Sequence, residues 1–225
     1  HPAVFYHFKR KLYTLVHGDD YLSCGTQADL EWLKDRLAET FDIKTQLIGH
    51  EAPGVKEGKI LNRVVRAVPQ GFEMEADPRH SELIVETLQS SKNAATAGID
   101  DIEGADEELE STQAFQFRSL AARANYLAMD RPDIVFAAKE LCRSMSKPTR
   151  RAWNQLVRLG RYLRGKPRLV WHFHWQDEVP VVTMFSDANW AGCPHSRKNH
   201  FGRSGHDRTP PHADLKQVPE CDRTQ

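Results

Sequence analysis

The chain has 225 residues, long enough for one or two domains with a buried core. Its 40% hydrophobic and 28% charged residues are typical of a globular protein, and 31 basic residues balance 31 acidic ones, so the formal net charge is zero. No apolar run approaches the ~20 residues of a membrane span, and the N-terminus lacks the features of a signal peptide. We therefore expect no membrane partner.

The cysteines and the first residue indicate the setting of the chain. Cys24, Cys142, Cys193 and Cys221 are far apart and lack the spacing of metal ligands, which predicts reduced thiols in an intracellular protein, cytoplasmic or nuclear. The chain begins at His1 without a methionine, in what resembles the middle of a strand. We expect it to be part of a longer protein.

Two adjacent carboxylates, Asp19 and Asp20, follow a glycine between two runs of strand-forming residues, 12–16 and 21–24. This pattern predicts a β-hairpin with the acidic pair at or beside its turn. Two carboxylates about 4 Å apart repel by roughly 4 kcal/mol at an effective dielectric near 20, and a divalent cation would remove that penalty. The residues alone leave two interpretations: a polar turn, in which Gly-Asp pairs are common, or part of a metal site.

The chain after this hairpin predicts a helix, a second hairpin and another helix. Residues 26–40 begin with a capping-box-like sequence, and Leu30, Leu33, Leu37 and Phe41 recur at helical spacing, so we expect them to share a buried face. Residues 59–68 resemble one strand, which a Gln-Gly turn at residues 70–71 would join to a strand at 72–75. Residues 77–89 begin with Asp-Pro and predict a helix.

Acidic and basic residues are segregated in the second half of the chain. Residues 98–110 contain acidic side chains and no basic one, which predicts a solvated, flexible linker over about residues 90–113. Residues 143–168 contain basic side chains and no acidic one, which is typical either of a phosphate-contacting face or of a solvated helix surface. The candidate nucleic-acid-binding residues of this segment are Arg143, Arg150, Arg151, Arg158, Arg161, Arg164 and Lys166.

Helical spacing predicts three successive helices at about residues 117–128, 133–145 and 149–165. The third is predicted to begin after Thr149 as its cap. Two antiparallel strands are predicted at residues 169–175 and 179–185, with Asp187 ending the second. His172 and His174 would share a strand face, where paired histidines are more often surface residues than a metal site.

Four stretches carry a family resemblance. They are Tyr13-Thr-Leu-Val-His-Gly-Asp-Asp-Tyr-Leu22, Phe117-Arg-Ser-Leu-Ala-Ala-Arg-Ala-Asn-Tyr-Leu-Ala-Met-Asp-Arg-Pro-Asp-Ile-Val-Phe-Ala-Ala-Lys139, Arg161-Tyr-Leu-Arg-Gly165 and Phe185-Ser-Asp-Ala-Asn-Trp-Ala-Gly192. Their order and separation resemble the Pol polyprotein of copia-type LTR retrotransposons, over roughly residues 1–200. One departure is that His17 and Gly18 stand where the family has an aromatic and a small apolar residue.

The resemblance implies an α+β fold in four parts. Residues 1–76 would be a fragment of the reverse transcriptase palm, including its acidic hairpin, and residues 77–168 a helical thumb and connection. Residues 169–198 would be truncated RNase H-like strands, the stub of that domain. Residues 199–225 depart from the family pattern and are expected to be a disordered or frame-shifted tail.

The resemblance also implies a function and a set of site residues. The family is an RNA-directed DNA polymerase, a nucleotidyltransferase with an associated RNase H, that acts on an RNA template, a DNA primer, their RNA–DNA hybrid and, in the full-length enzyme, a dNTP. Asp19 and Asp20 would be polymerase carboxylates and Asp187 the first RNase H carboxylate, all three as ligands of Mg²⁺ or Mn²⁺. The family carries another polymerase carboxylate on an earlier strand, so the isolated chain is expected to be inactive. The alternatives are a non-catalytic nucleic-acid-binding remnant and an inert translated pseudogene.

Overall fold

The computed structural model describes residues 2–51, 54–98 and 105–176. These residues form seven β-strands, five α-helices and one short 3-10 helix, which agrees with the predicted α+β class. They fall into two compact units, one containing the residues up to Leu61 with Val65–Pro69, the other Asn62–Val64 with the residues from Gln70 onward. Among the described residues, no helix combines the length and the apolar character needed to cross a membrane.

The first sheet contains the predicted acidic hairpin. Its strands are β1 (Val4–His7), β2 (Leu12–His17) and β3 (Asp20–Cys24), in the order β1-β2-β3 and antiparallel. Gly18 and Asp19 form the two-residue turn between β2 and β3, and only the first of them has a positive φ, of 63°. That pattern is typical of a type II′ turn, which favours glycine at its first position and matches the twist of the two strands.

Helix α1 (Gln27–Ala38) follows this sheet and begins as predicted. Its N-cap is Thr26, whose hydroxyl accepts a hydrogen bond from the backbone N–H of Asp29 at 3.3 Å. Leu30, Leu33 and Leu37 are half-buried, and α1 has no fully buried residue. The prediction for Phe41 was wrong: its side chain is 56% exposed, because α1 ends three residues earlier, at Ala38.

The second sheet has the strand order β4-β5-β6-β7. These strands are β4 (Glu57–Ile60), β5 (Arg63–Val68), β6 (Gly71–Ala76) and β7 (Trp171–His174). The prediction of a single strand over residues 59–68 was wrong, since Leu61 and Asn62, with φ values of 48° and 61°, form a turn within it. Two consecutive positive φ values are typical of a type I′ hairpin turn, for which Leu61 gives no sequence signal.

Strand β7 belongs to the segment assigned to an RNase H stub, yet it pairs with β6. Arg168 donates hydrogen bonds of 2.7 and 3.0 Å to the buried carboxylate of Glu75, and Trp171 Nε1 donates one of 3.0 Å to the backbone O of Asp130. The predicted partner strand at residues 179–185 and the tail at 199–225 lie outside the described residues.

Four helices build the main hydrophobic core. They are α2 (Arg79–Leu88), α3 (Ser111–Leu127), α4 (Val135–Arg143) and α5 (Arg150–Gly165). Fully buried apolar side chains from all four meet there, among them Ile84, Phe117, Leu141 and Leu156. Helix α3 starts six residues before the predicted position, at Ser111 rather than 117, because apolar burial extends back to Ala114.

A buried arginine joins the beginning of α4 to the end of α5. Arg131 is 2% exposed and makes a bidentate pair with Asp133, with N···O distances of 2.9 and 2.8 Å. Its guanidinium also donates to the backbone oxygens of Lys166, at 2.9 Å, and Pro167, at 3.2 Å. The Tyr162 hydroxyl donates to Asp133 at 2.9 Å. Each nitrogen of the Arg131 guanidinium and both carboxylate oxygens of Asp133 therefore have a partner, as a buried charge requires.

Candidate metal hairpin and nucleic-acid interface

The acidic pair occupies the tip of the β2–β3 hairpin. Asp19 is the second turn residue, and Asp20 opens β3 directly opposite His17. Both carboxylates are exposed. Asp20 and His17 help to line a small pocket of about 130 Å³ together with residues 59–61. The hairpin prediction is thus confirmed, and the turn presents two adjacent carboxylates to solvent.

The donor set of the hairpin fits one part of a site for Mg²⁺ or Mn²⁺. Carboxylate oxygens are the ligands these hard cations prefer, and Mg²⁺ is commonly held by one or two carboxylates plus substrate phosphates. Among the described residues, however, there is no group of three acidic, histidine or cysteine side chains that could hold a metal ion. Asp19 and Asp20 could supply two ligands and would need others. Asp187, the third predicted metal residue, lies outside the described residues.

The basic segment forms helix α5 and its flanks, capped as predicted. The Thr149 hydroxyl accepts a hydrogen bond from the Ala152 N–H at 3.3 Å. On the apolar side of α5, Leu156, Gly160 and Leu163 are buried, whereas Trp153 and Val157 are only half-buried. A side chain at Gly160 would approach the Leu88 side chain to 2.6 Å, which explains why α2 and α5 pack so closely.

The prediction of a flexible linker was wrong for the first part of that segment, because residues 90–98 lie against α5. Arg158 donates to Thr96 Oγ1 at 2.8 Å, and Arg161 donates to Ser90 Oγ at 3.1 Å. Arg164 donates to the backbone oxygen of Ser90. Three candidate nucleic-acid-binding arginines therefore hold part of their own chain. These contacts could not be predicted from local sequence patterns, because the paired residues are more than 60 positions apart.

The second part of this segment, residues 105–110, also differs from the prediction. It runs antiparallel to the start of α5, with Leu109 N–H donating to Pro148 O and Arg150 N–H donating to Glu107 O, both at 2.9 Å. Two ion pairs flank this contact. They are Arg151–Asp106, at 3.3 Å, and Lys147–Glu108, at 3.0 Å. Opposite charges, which the sequence places about 40 residues apart, thus neutralise each other locally. Residues 99–104 lie outside the described residues.

The remaining candidate nucleic-acid-binding residues differ in whether their side chains form an ion pair. Arg143 pairs with Glu140 at 3.2 Å on the surface of α4. Arg150 and Lys166 are exposed, and within the described residues their side chains make no ion pair. Fewer basic side chains of this segment are therefore available to a phosphate than the sequence predicts. Exposed ion pairs contribute only about 0–1 kcal/mol, however, so a phosphate can replace the carboxylate in such a pair.

The two histidines of β7 do not form a metal site in the described residues. His172 and His174 stack with ring centroids 6.2 Å apart, and His172 Nδ1 lies 3.5 Å from Glu73 Oε1. No third ligand completes the pair among those residues. The interpretation as surface residues is the one that this geometry favours.

Comparison with known proteins relates the chain to retrotransposon sequences. It is 28% identical over 186 residues to a retrovirus-related Pol polyprotein from transposon RE2 and 26% identical over 189 residues to one from transposon RE1, both of Arabidopsis thaliana. These alignments cover 80% and 82% of this chain but only 12% of each polyprotein. An uncharacterized mitochondrial protein of the same plant, AtMg00810, is 25% identical over 194 residues, which are 85% of this chain and 77% of that protein.

No family model and no solved structure matches the chain. These relatives show that the chain is similar to a segment of retrotransposon Pol polyproteins. The resemblance to a copia-type Pol polyprotein, predicted from four short stretches, is confirmed at modest identity. The chain spans about an eighth of the polyproteins that it matches.

Proposed function

We propose that this chain is part of an RNA-directed DNA polymerase of a copia-type retrotransposon, with the palm hairpin, a helical thumb and connection, and the start of RNase H. The observation that carries the proposal is the Asp19-Asp20 pair at the tip of a tight antiparallel hairpin, presented to solvent by a type II′ turn. The relationship to two transposon Pol polyproteins supports it. We place its action inside the cell, in the cytoplasm or nucleus.

The residues of the hairpin have a defined task in such a site. The β2–β3 pairing fixes the backbone of Asp20 opposite His17, and the two-residue turn fixes Asp19 beside it. Their carboxylates would hold Mg²⁺ or Mn²⁺ and would otherwise repel each other. When bound, the ions would activate the primer 3′-hydroxyl for attack on the dNTP α-phosphate and stabilise the departing pyrophosphate. The RNA template and DNA primer would approach as an RNA–DNA hybrid.

The first test is cation binding at the hairpin, followed by NMR line broadening with Mn²⁺. We expect the amide signals of residues 18–20 to broaden first, and Asp19→Asn with Asp20→Asn to abolish the effect. Glu107 and Glu108 in a Lys147→Gln background are a matched control, because they are also adjacent, exposed carboxylates outside the hairpin and the substitution removes the ion pair of Glu108. Equal broadening at both pairs would contradict a role specific to the hairpin.

The second test concerns catalysis. Because the described residues offer two carboxylates and no third metal ligand near them, we expect no primer extension by the isolated chain with Mg²⁺ or Mn²⁺. Nucleotide incorporation that Asp19→Asn abolishes would show that this expectation is wrong and that the chain completes its own site.

The alternative is a non-catalytic nucleic-acid-binding remnant, favoured by the exposed side chains of Arg150 and Lys166 at the two ends of α5, which make no ion pair with any residue that the structure describes. Salt-dependent binding of an RNA–DNA hybrid should weaken when both are changed to Gln, with the slope of log K against log salt falling by about 0.9 for each lost phosphate contact. Lys34→Gln, an exposed change on α1, is the control. Absence of both Mn²⁺ and hybrid binding would leave an inert translated pseudogene.

A further inference from the structure

Three aromatic side chains stand together, exposed, on the β1–β2 hairpin. Tyr6 is 45% exposed, Phe8 is 84% exposed and Tyr13 is 55% exposed. The rings of Tyr6 and Tyr13 are 4.5 Å apart at an interplanar angle of 32°, and Phe8 meets Tyr6 edge-on at 6.1 Å. Aromatic rings of this size are normally buried, so an exposed and mutually packed group of three indicates a binding surface.

Strand register explains why Tyr6 and Tyr13 share one side of the sheet, and Phe8 joins them through its ring contact with Tyr6. Tyr6 and Tyr13 are directly opposite each other in the β1–β2 pairing. Phe5, the neighbouring residue, is opposite Thr14 and therefore points to the other face, where it is 58% exposed. The hairpin thus carries an aromatic strip, Tyr6, Phe8 and Tyr13, on one face, and a comparable single aromatic on the reverse.

The connection between β1 and β2 adds positive charge next to this strip. It reads Phe8-Lys9-Arg10-Lys11. Arg10 is held by α1: its guanidinium pairs with Asp29 at 2.8 Å and lies 4.2 Å from the Trp32 ring centroid. Within the described residues, neither Lys9 nor Lys11 makes an ion pair, and both are exposed. Arg10 anchors the turn, which leaves two lysines to meet an anion.

From this juxtaposition we infer that the β1–β2 hairpin binds single-stranded nucleic acid, with bases stacking on Tyr6, Phe8 and Tyr13 and phosphates contacting Lys9 and Lys11. Proteins that bind single strands without sequence preference generally combine exposed aromatic rings, on which bases stack, with basic side chains that contact the phosphates. A duplex hides its base faces and cannot use the rings. The rings and the two lysines lie next to each other on one short hairpin, so one strand could place its bases on the rings and its phosphates at the lysines.

The inference goes beyond the proposed polymerase function, because it assigns a site on a different hairpin from Asp19-Asp20 and on a different element from α5. It needs neither a metal ion nor catalysis. The sequence carries a signal for it, because aromatic residues at positions 5, 6 and 8 are followed directly by the basic run 9–11 and by Tyr13.

Fluorescence anisotropy of the whole chain with labelled oligo(dT) and oligo(U), each of about 12 nucleotides, tests the inference, since single-strand sites commonly span roughly 4–16 nucleotides. We expect Tyr6→Ala with Tyr13→Ala to weaken binding at least about thirtyfold, the low end for the loss of two stacked bases. Tyr6→Phe with Tyr13→Phe should bind normally, because stacking needs the ring. Phe8→Ala, at the most exposed position, should weaken binding without disturbing the fold.

Matched controls separate this site from the other proposals. Phe5→Ala removes an exposed aromatic from the same strand but the opposite face, and should leave binding unchanged. Lys9→Gln with Lys11→Gln should lower the salt slope by about 1.4, at roughly 0.7 per contact for single strands. Binding of dT but not U, or of U but not dT, would identify DNA or RNA as the ligand. Absence of binding to both, or an equal loss in Phe5→Ala, would overturn the inference, whereas Asp19→Asn and Arg150→Gln should not affect it.

Discussion

Replacing Arg131 by Met should destabilise the helical unit more than any surface change. The substitution removes the bidentate partner of Asp133 and leaves the carbonyl oxygens of Lys166 and Pro167 without their donor. Breaking a buried ion pair on one side typically costs about 3–5 kcal/mol. Asp133 retains 18% exposure, so some of its charge can be hydrated, and we expect the lower end, near 3 kcal/mol. Against a typical stability of about 5–15 kcal/mol, that loss is large.

Urea unfolding followed by far-UV circular dichroism measures this loss through the helices. Lys147→Gln is the matched control, because it removes a cation from a pair in which the two side chains are 78% and 63% exposed, and should cost no more than about 1 kcal/mol. Replacing both Arg131 and Asp133 by apolar residues should restore part of the stability, since no unpaired charge remains. A cost for Arg131→Met equal to that of Lys147→Gln would refute the reasoning.

Three further changes follow from described contacts. Burial and the Asp133 carboxylate raise the pKa of Tyr162 to about 12. Because this folded pKa lies above the unfolded value near 10, the stability that neutral Tyr162 contributes is present below pH 10 and is lost towards pH 12. Tyr162→Phe should therefore reduce the change in unfolding free energy with pH over that range. Gly71→Ala would place its Cβ against the backbone oxygen of Phe173, so amide exchange in β7 should accelerate. Asp106→Asn with Glu108→Gln should raise hybrid affinity and steepen its salt dependence, as two released cations become available.

Local signals predicted the elements that depend on local physics. The β2–β3 hairpin, the Thr26 and Thr149 caps and the helical character of residues 150–165 all follow from turn chemistry, capping and apolar spacing. The turn at Leu61-Asn62 could not be predicted in this way, because a leucine with positive φ carries no turn signal and is held by its surroundings.

Long-range pairing accounts for most of what sequence reasoning missed. The pairing of β7 with β6 joins residues about 100 positions apart, and Arg168 reaches back to Glu75 to hold it. The acidic segment resembled a linker because its partners at the start of α5 lie about 40 residues downstream. Charge segregation along the chain predicts a solvated, flexible linker, whereas in three dimensions it brings opposite charges together.

Arg131 has a structural role within the family-like part of the chain. The Arg-Pro-Asp sequence at residues 131–133 lies within the longest stretch that resembles the copia-type family, yet its arginine is 2% exposed and bound to Asp133 and to the backbone at the end of α5. A side chain so enclosed cannot contact a template or a nucleotide without unfolding its surroundings. The resemblance of that stretch to the copia-type family is therefore explained by packing of the helices, and not by contact with a substrate. The case for chemistry rests on the exposed Asp19-Asp20 pair, and the case for nucleic-acid binding rests on surfaces whose cations are available.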